Sequence, residues 1–198
     1  MARRTAAEAG QTRRAILEAG VAYFGEVGYA GAALENLIAA VGVTRGALYH
    51  HFGSKRGFFE AVVERVQQRL GEKILRSATR AGDGWAGIEA GCKTFLAAAT
   101  DPVYRQVAIV DGPSVLGWER WKQIDDAYLT SSLQQALAAL HDANETRADD
   151  VEALAVALSG AMNELALWVA HHPKRGAALK RARTTIRGLL EAQQRDVS

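Results

Sequence analysis

The sequence predicts an all-α protein. The 198 residues contain three prolines, and the helix-favouring residues Ala, Leu, Glu, Arg and Gln dominate. Apolar residues recur at steps of three and four, with almost none of the alternation typical of strands. Clusters of Gly, Pro and Asp separate these stretches, and the resulting pattern predicts about nine helices.

The most informative stretch is LENLIAAVGVTRGALYHHFGSKRG, at 34–57. Its apolar spacing predicts a short helix at 34–41, which Gly42 can end in a left-handed conformation. Thr44 can then cap a second helix at about 45–51 by accepting a hydrogen bond from a backbone N–H of its first turn. Two helices should therefore meet across a tight turn.

The second of these helices should present a polar face to its surroundings. Ala47, Leu48 and Phe52 supply its buried side, and the residues left outside are Arg45, Gly46, Tyr49 and His50. Because a helix this short is not stable alone, the helix before it must hold it in place. Its N-terminus carries free N–H groups and a partial positive charge, which suit a phosphate-lined groove. This arrangement is typical of a recognition helix in the DNA major groove.

The same residues resemble the N-terminal signature of the TetR-type transcriptional regulators. The resemblance lies in Phe24, Gly28 and Tyr29, followed by the run AAVGVTRGALYHHFGSK at 39–55. It implies a three-helix DNA-binding domain with a helix-turn-helix, at 1–57, and a larger helical ligand-binding and dimerisation domain, at 58–198. It also implies a dimeric repressor that a small molecule releases from a near-palindromic double-stranded DNA operator.

Carried over position by position, the resemblance implies that the DNA contacts are made by Ala33, Thr44, Arg45, Gly46, Tyr49, His50 and Lys55. Arg45 and Gly46 would face base edges, and the others would contact the phosphate backbone. The family commonly has Thr or Ser where this chain has Ala32 and Ala33. We therefore expect a cap weaker by about 1 kcal/mol and a phosphate contact from the Ala33 N–H alone. A same-fold binding protein with weak or lost DNA recognition is the alternative.

Charge divides along the chain. Residues 1–57 contain seven Lys and Arg against four acidic residues, whereas 101–164 contain four against eleven. The basic end favours nucleic acid, although so small an excess also fits an ordinary solvated surface. Arg3, Arg4, Arg13 and Arg14 precede or begin the first helix, and a basic arm or a solubilising tail would explain Arg3 and Arg4 equally well.

The remaining helices are predicted from their apolar periodicity. The first should end at Gly28, and a long fourth helix should start after Ser54 and end before 81–84. The later helices are predicted at 85–99, 102–110, 118–141, 151–170 and 176–194, with a break at 111–114. Ala and Leu occupy more than one side of the last two. A homodimer formed through these two helices would bury that surface.

An effector pocket needs an apolar cavity with a few polar anchors. The candidates are Phe95, Asp111, Trp118, Trp121, Tyr128, Met162, Asn163 and Trp168, with Glu164 as a further anchor. Core packing is the alternative for any single aromatic residue. The acidic middle segment hints at a cationic ligand, but a solvated acidic face explains it equally well.

Other classes of function find little support. The adjacent histidines at 50–51 and 171–172 diverge on a helix, so neither pair suits a metal ion. Cys92 is the only cysteine and has no base nearby in sequence. We expect no enzyme activity, no cofactor and no metal. We expect no apolar run to reach the length of a membrane span, and we predict a cytoplasmic protein without a membrane partner.

Overall fold

The computed structural model describes residues 6–195, so Arg3 and Arg4 lie outside the described part of the chain. The described residues form nine helical stretches and no strand, apart from an isolated bridge between Thr146 and Gln194, which confirms the all-α prediction. Seven are single helices: α1 Ala6–Gly31, α2 Leu34–Val41, α3 Arg45–Phe52, α4 Lys55–Ala81, α5 Trp85–Ala98, α8 Val151–His171 and α9 Arg175–Glu191.

The other two helices each contain a π-helical turn. Helix α6 joins Pro102–Tyr104, the π-helical Arg105–Asp111 and Gly112–Leu116. Helix α7 joins Trp118–Asp125, the π-helical Asp126–Thr130 and Ser131–Asp142.

The predicted break at 111–114 is wrong. The chain remains helical through these residues, and α6 ends only at Leu116. Pro113 lies in the first turn after the π-helical segment. A proline is tolerated in the first turn of an α-helical segment, where its missing N–H costs no α-helical hydrogen bond.

Two compact units divide the chain differently from the expected 1–57 and 58–198. The first contains residues up to Val66 together with Pro102–Trp121, and the second contains Gln67–Asp101 together with the residues from Lys122 onward. The first turns of α4 belong to the first unit because Phe58 and Phe59 are fully buried there.

Aromatic rings form the core of the first unit. The ring of Phe24, on α1, lies 5.5 Å from that of Phe58 and 5.1 Å from that of Phe59, and Phe52 of α3 lies 4.8 Å from Phe58. Helix α6 packs along α1, where a Cβ on Gly25 would lie 2.8 Å from Val103. The core thus fixes α3 from behind and joins residues 102–121 to the N-terminal helices.

The core of the second unit is formed by α5, α8 and α9, whose buried residues include Ile88, Leu158, Ile186 and Leu190. Helix α8 is 21 residues long, and by length and composition alone it could cross a membrane. The expectation that no apolar run would reach this length is therefore wrong. Its buried face, from Ala155 to Ala170, packs inside the second unit, as expected of a core helix.

Candidate functional site

The turn between α2 and α3 has the predicted caps. Gly42 adopts φ 69° and ψ 32°, and its N–H bonds the carbonyls of Ile38 and Ala39. A residue with a side chain would be strained in this conformation, so glycine is suited to the position. The Thr44 hydroxyl accepts a hydrogen bond from the N–H of Ala47 at 3.1 Å. These two local interactions set where α3 begins.

Helix α3 has one buried side and one open side. Leu48 is fully buried and Phe52 nearly so, whereas Arg45, Gly46 and His50 are exposed. Tyr49 is half-buried, and the guanidinium of Arg45 lies over its ring at 5.4 Å. The open side therefore carries a cation, a phenol and an imidazole beside a glycine.

Arg45 is held by an exposed ion pair. Its Nη1 lies 3.3 Å from Oε1 of Glu35 on α2, and about two thirds of each side chain is exposed. Pairs this exposed contribute little free energy. The guanidinium can therefore exchange Glu35 for another acceptor at small cost.

Lys55 begins α4 and is half-buried. Its ammonium donates to the Ala32 carbonyl at 2.7 Å and lies 4.6 Å from the centre of the Tyr29 ring. An ammonium group has three N–H donors, and the carbonyl occupies one of them. Lys55 thus ties the start of α4 to the end of α1 and has donors left for a phosphate.

The start of α2 has no side-chain cap from its own N-cap residue, Ala33, as predicted. A hydroxyl from α1 lies there instead. The N–H of Ala33 donates to the Tyr23 hydroxyl oxygen at 3.1 Å, and this hydroxyl donates to the Ala33 carbonyl at 3.0 Å. The N–H that was expected to be left for a phosphate is therefore hydrogen-bonded within the first unit.

Three of the predicted ligand residues lie in the first unit. Asp111 accepts the backbone N–H of Tyr29 at 2.8 Å, just after the kink at Gly28, where φ is 70°. Trp121 is buried and donates from its indole N–H to the Ala108 carbonyl at 2.7 Å. Trp118 is 64% exposed, with its ring 5.2 Å from that of Trp121. These three residues hold α1, α6 and α7 together within this unit.

The second unit contains a cavity of about 500 Å³. Helices α4, α5, α7 and α8 line it, and most of its wall is apolar. This volume is within the range of small-molecule sites. Its apolar lining includes Ile74, Leu75, Ala78, Ile88, Phe95, Leu129, Leu133, Ala136, Leu140 and Met162.

Asp125 is the buried charged group in the cavity wall, with 1% of the residue exposed. Its Oδ2 accepts from the Asn163 amide at 3.2 Å and its Oδ1 from the Gln67 amide at 3.4 Å. The Lys122 ammonium lies 3.7 Å from Oδ2 and is hydrogen-bonded to Asp126. Burial raises the pKa of Asp125, although the Asn163 hydrogen bond and the Lys122 charge oppose this shift.

Two of the other five predicted ligand residues line this cavity. Phe95 and Met162 line it, and Asn163 lies behind Asp125. Tyr128 and Trp168 do not line it. The Trp168 ring instead lies 5.2 Å from the His172 ring. The guanidinium of Arg181 lies over the Trp168 ring, 5.0 Å from its centre.

Sequence reasoning missed Asp125 and the small residues of α5. Asp125 falls midway between Trp121 and Leu129 on an apolar stripe, so its position was a signal of a buried carboxylate. Gly84, Gly87 and Gly91 recur at steps of three and four, and each lines the cavity. A Cβ on Gly87 would lie 2.6 Å from the Gly82 carbonyl oxygen and one on Gly91 3.2 Å from Ile74, so these glycines let α5 pack closely against the end of α4 beside the cavity.

A short exposed helix behind a tight turn, joined to a helical unit with a ligand-sized cavity, defines a helix-turn-helix regulator. Comparison with protein families agrees. Residues 16–62 match the family described as bacterial regulatory proteins, tetR family, and residues 85–193 match the family described as tetracyclin repressor-like, C-terminal domain. The chain belongs to the TetR family of transcriptional regulators.

Individual relatives agree with this assignment. A solved TetR-family transcriptional regulator from Pectobacterium atrosepticum is 30% identical, covers 98% of this chain and 99% of its own, and superposes with a TM-score of 0.85. The Tn10 TetC protein of Escherichia coli is 23% identical over 79% of both chains. The repressor AcnR of Corynebacterium glutamicum is 31% identical over 53% of this chain and 60% of its own length. The match to the regulator AcrR of Shigella flexneri spans only 35% of that protein.

Proposed function

We propose that α3 reads operator DNA from the major groove. The observation that carries this proposal is the open side of α3, which presents Arg45, Gly46, Tyr49 and His50. The opposite side of this short helix is held by buried Leu48 and Phe52. Gly46 has no side chain to separate the helix from a base pair. The N-terminus of α3, capped by Thr44, directs its partial positive charge toward phosphate.

Arg45 is the residue assigned to base reading. Its fork can hold O6 and N7 of guanine, and its present partner, Glu35, is exposed and weakly bound. Thr44, Tyr49, His50 and Lys55 are assigned to the phosphate backbone. These contacts would fix the register of the protein on the duplex, while Arg45 would supply the sequence preference.

The test is selection of bound fragments from random DNA, followed by titration of the best fragment. We expect affinity to fall steeply with salt, because neutralised phosphates release counterions. Arg45→Ala should relax the preference at one base pair at a cost of about 1–3 kcal/mol. Arg80→Ala, which removes an exposed arginine in the second unit, is the matched control and should leave base preference unchanged.

The rival reading, a protein of this fold that has lost DNA recognition, is not favoured. The helix-turn-helix matches its family model, and the face that would meet DNA is open. Failure to retain any double-stranded fragment at low ionic strength would reverse this preference.

TetR-family regulators bind operator DNA as dimers, and we infer that this chain dimerises through α8 and α9. Exposed positions on α8 recur at steps of three and four, at Ala153, Val156, Ala157, Gly160, Glu164 and Leu167, and all of them except Glu164 are small or apolar. Val156 is 63% exposed. On α9, Leu189 is exposed next to Gly188, where an added Cβ would meet no atom within 4 Å. A second copy would cover this surface of small and apolar residues.

Analytical ultracentrifugation tests this interface. The parent chain should be a dimer at micromolar concentration, and Val156→Glu should make it monomeric without loss of helix content. Val110→Glu, at an exposed apolar position on α6, is the control and should leave the dimer intact. A monomeric parent, or a dimer that tolerates Val156→Glu, would contradict the proposal.

The cavity in the second unit is the proposed effector site, and the chain is proposed to act in the cytoplasm as a repressor that its effector releases from DNA. AcnR, one of the relatives, carries the name of a transcriptional repressor. Compounds that raise the melting temperature should also release the operator. Ala136→Trp, which places an indole in the cavity wall, should abolish both effects while leaving DNA binding intact.

A further inference from the structure

We propose that the cavity of the second unit binds an elongated, mainly apolar molecule carrying a cationic group, with an amine as its simplest form. This inference rests on the proposed role of the cavity as the effector site and adds the shape and charge of its ligand.

The shape follows from the helices in the wall. Helix α5 lines the cavity at Gly87, Ile88, Gly91, Cys92 and Phe95, and the preceding Gly84 lines it as well. Eleven residue steps from Gly84 to Phe95 span about 16 Å of helix. Gly91 and Gly87 of α5 face Ile74 and Ala78 of α4, so the two helices run in opposite directions along the wall. Asp125, bonded to Gln67 two turns before Ile74 on α4, therefore lies toward the Phe95 end, and Glu145 lies beside Gly84 at the other end. A long, narrow apolar ligand fits such a wall better than a compact polar one.

The charge follows from the lining side chains. Three carboxylic acids line the cavity, namely Asp83, Asp125 and Glu145, and no Lys, Arg or His is found among the described residues that line it. Asp83 and Glu145 are exposed, so they mark the end that is open to solvent, whereas Asp125 is buried. An anionic ligand would meet repulsion at both ends, because no cation in the wall would compensate its charge.

Asp125 has acceptor capacity that its protein partners leave unused. A carboxylate offers about four lone-pair positions, and the amides of Gln67 and Asn163 take one on each oxygen. The Lys122 ammonium is shared between Asp125 and Asp126, so the three side chains together hold one more carboxyl group than ammonium group. A cationic N–H that approaches Asp125 from the cavity would therefore find an acceptor position without displacing either amide.

The experiment compares three ten-carbon probes of equal length, decylamine, decanol and decanoate. Each is titrated calorimetrically into the full-length protein below its micelle concentration. A charge-assisted hydrogen bond to a buried carboxylate should make decylamine bind about tenfold or more tightly than decanol, with decanoate weakest. Asp125→Asn should reduce the advantage of the amine to about threefold or less. Glu119→Gln, which removes an exposed carboxylate that does not line the cavity, should leave the advantage intact.

The outcomes separate this inference from the proposed function. Equal binding of decylamine and decanol, or tighter binding of decanoate, would overturn the cationic assignment and leave the cavity as an effector site. Binding of none of the probes, or binding that Ala136→Trp does not weaken, would refute the proposal that the cavity is the effector site. If Asp125→Asn does not fold, the ranking of the three probes on the parent protein decides.

Discussion

The Tyr23 hydroxyl and the backbone of Ala33 exchange two hydrogen bonds, at 3.0 and 3.1 Å, at the point where α2 begins. The N-cap residue itself, Ala33, has no hydroxyl and makes no side-chain cap. Here a tyrosine ten residues earlier, on α1, supplies a hydroxyl to the same N-terminus. The hydroxyl is contributed by a neighbouring helix and not by the cap residue itself.

Tyr23→Phe should lower the free energy of unfolding by about 1 kcal/mol, because the Ala33 N–H loses its acceptor. Ala33→Thr should restore a cap within α2 itself and contribute about 0.5–1 kcal/mol. Thermal unfolding of both single variants and the double variant measures the coupling. If the two effects simply add, the tyrosine hydroxyl does not substitute for the missing cap.

Tyr49→Ala should abolish most operator binding while helix content and the dimer remain. The phenol lies on the open side of α3, and the Arg45 guanidinium lies over its ring at 5.4 Å. Its loss would remove both the proposed phosphate contact and the ring that supports the side chain proposed to read a base. Circular dichroism and sedimentation provide the controls. Unchanged affinity in a gel-shift titration would exclude Tyr49 from the site.

Asp125→Asn should stabilise the protein at pH 7–8, by an amount that shrinks as the pH falls. Burial raises the pKa of Asp125 in the folded state above its ordinary value of 3.8. Above the raised pKa the folded state carries the penalty of a buried charge, and below 3.8 the group is neutral in both folded and unfolded chains. The difference in free energy of unfolding between variant and parent should therefore shrink to zero as the pH falls from the raised pKa of the folded state to 3.8.

Chemical denaturation at several pH values tests this expectation, with Asp142→Asn, at an exposed site on α7, as the control for loss of one carboxylate. A variant that is less stable than the parent at pH 8 would mean that Lys122, Asn163 and Gln67 more than offset the burial of the charge. The stability data would then show that the charged carboxylate of Asp125 does not destabilise the folded protein.

Cys92 should resist thiol reagents in the native protein. Burial raises its pKa to about 12. At pH 8 only about one thiol in ten thousand is then ionised, and the thiolate is the reactive form. Labelling with a chromogenic disulfide should be slow until denaturant is added and then complete at one thiol per chain. Rapid native labelling would show that the cavity wall opens to the reagent.

The helix-turn-helix could be predicted almost residue by residue because local interactions define it. Gly42 and Thr44 act on backbone groups within a few positions of themselves, and the alternation of buried Leu48 with exposed Arg45 and His50 follows from helical periodicity. Both caps are present where the pattern placed them.

The ligand residues were harder to predict because their identity depends on which helices meet. Asp111, Trp118 and Trp121 had the residue types of a pocket, yet they pack in the first unit. Asp125 and the glycines of α5 line the cavity instead. An aromatic residue on a helix suits a core and a pocket equally well, so its type does not distinguish them.

The sequence by itself determined the helical class, the caps and the open face of α3, since each depends on neighbours within about one turn. Only the tertiary structure decided that Tyr23 meets Ala33, that 102–121 packs with the N-terminal helices, and that a buried carboxylate faces an apolar cavity. These relationships join residues from different helices, and the packing of side chains, unlike helical periodicity, is a property of the whole fold.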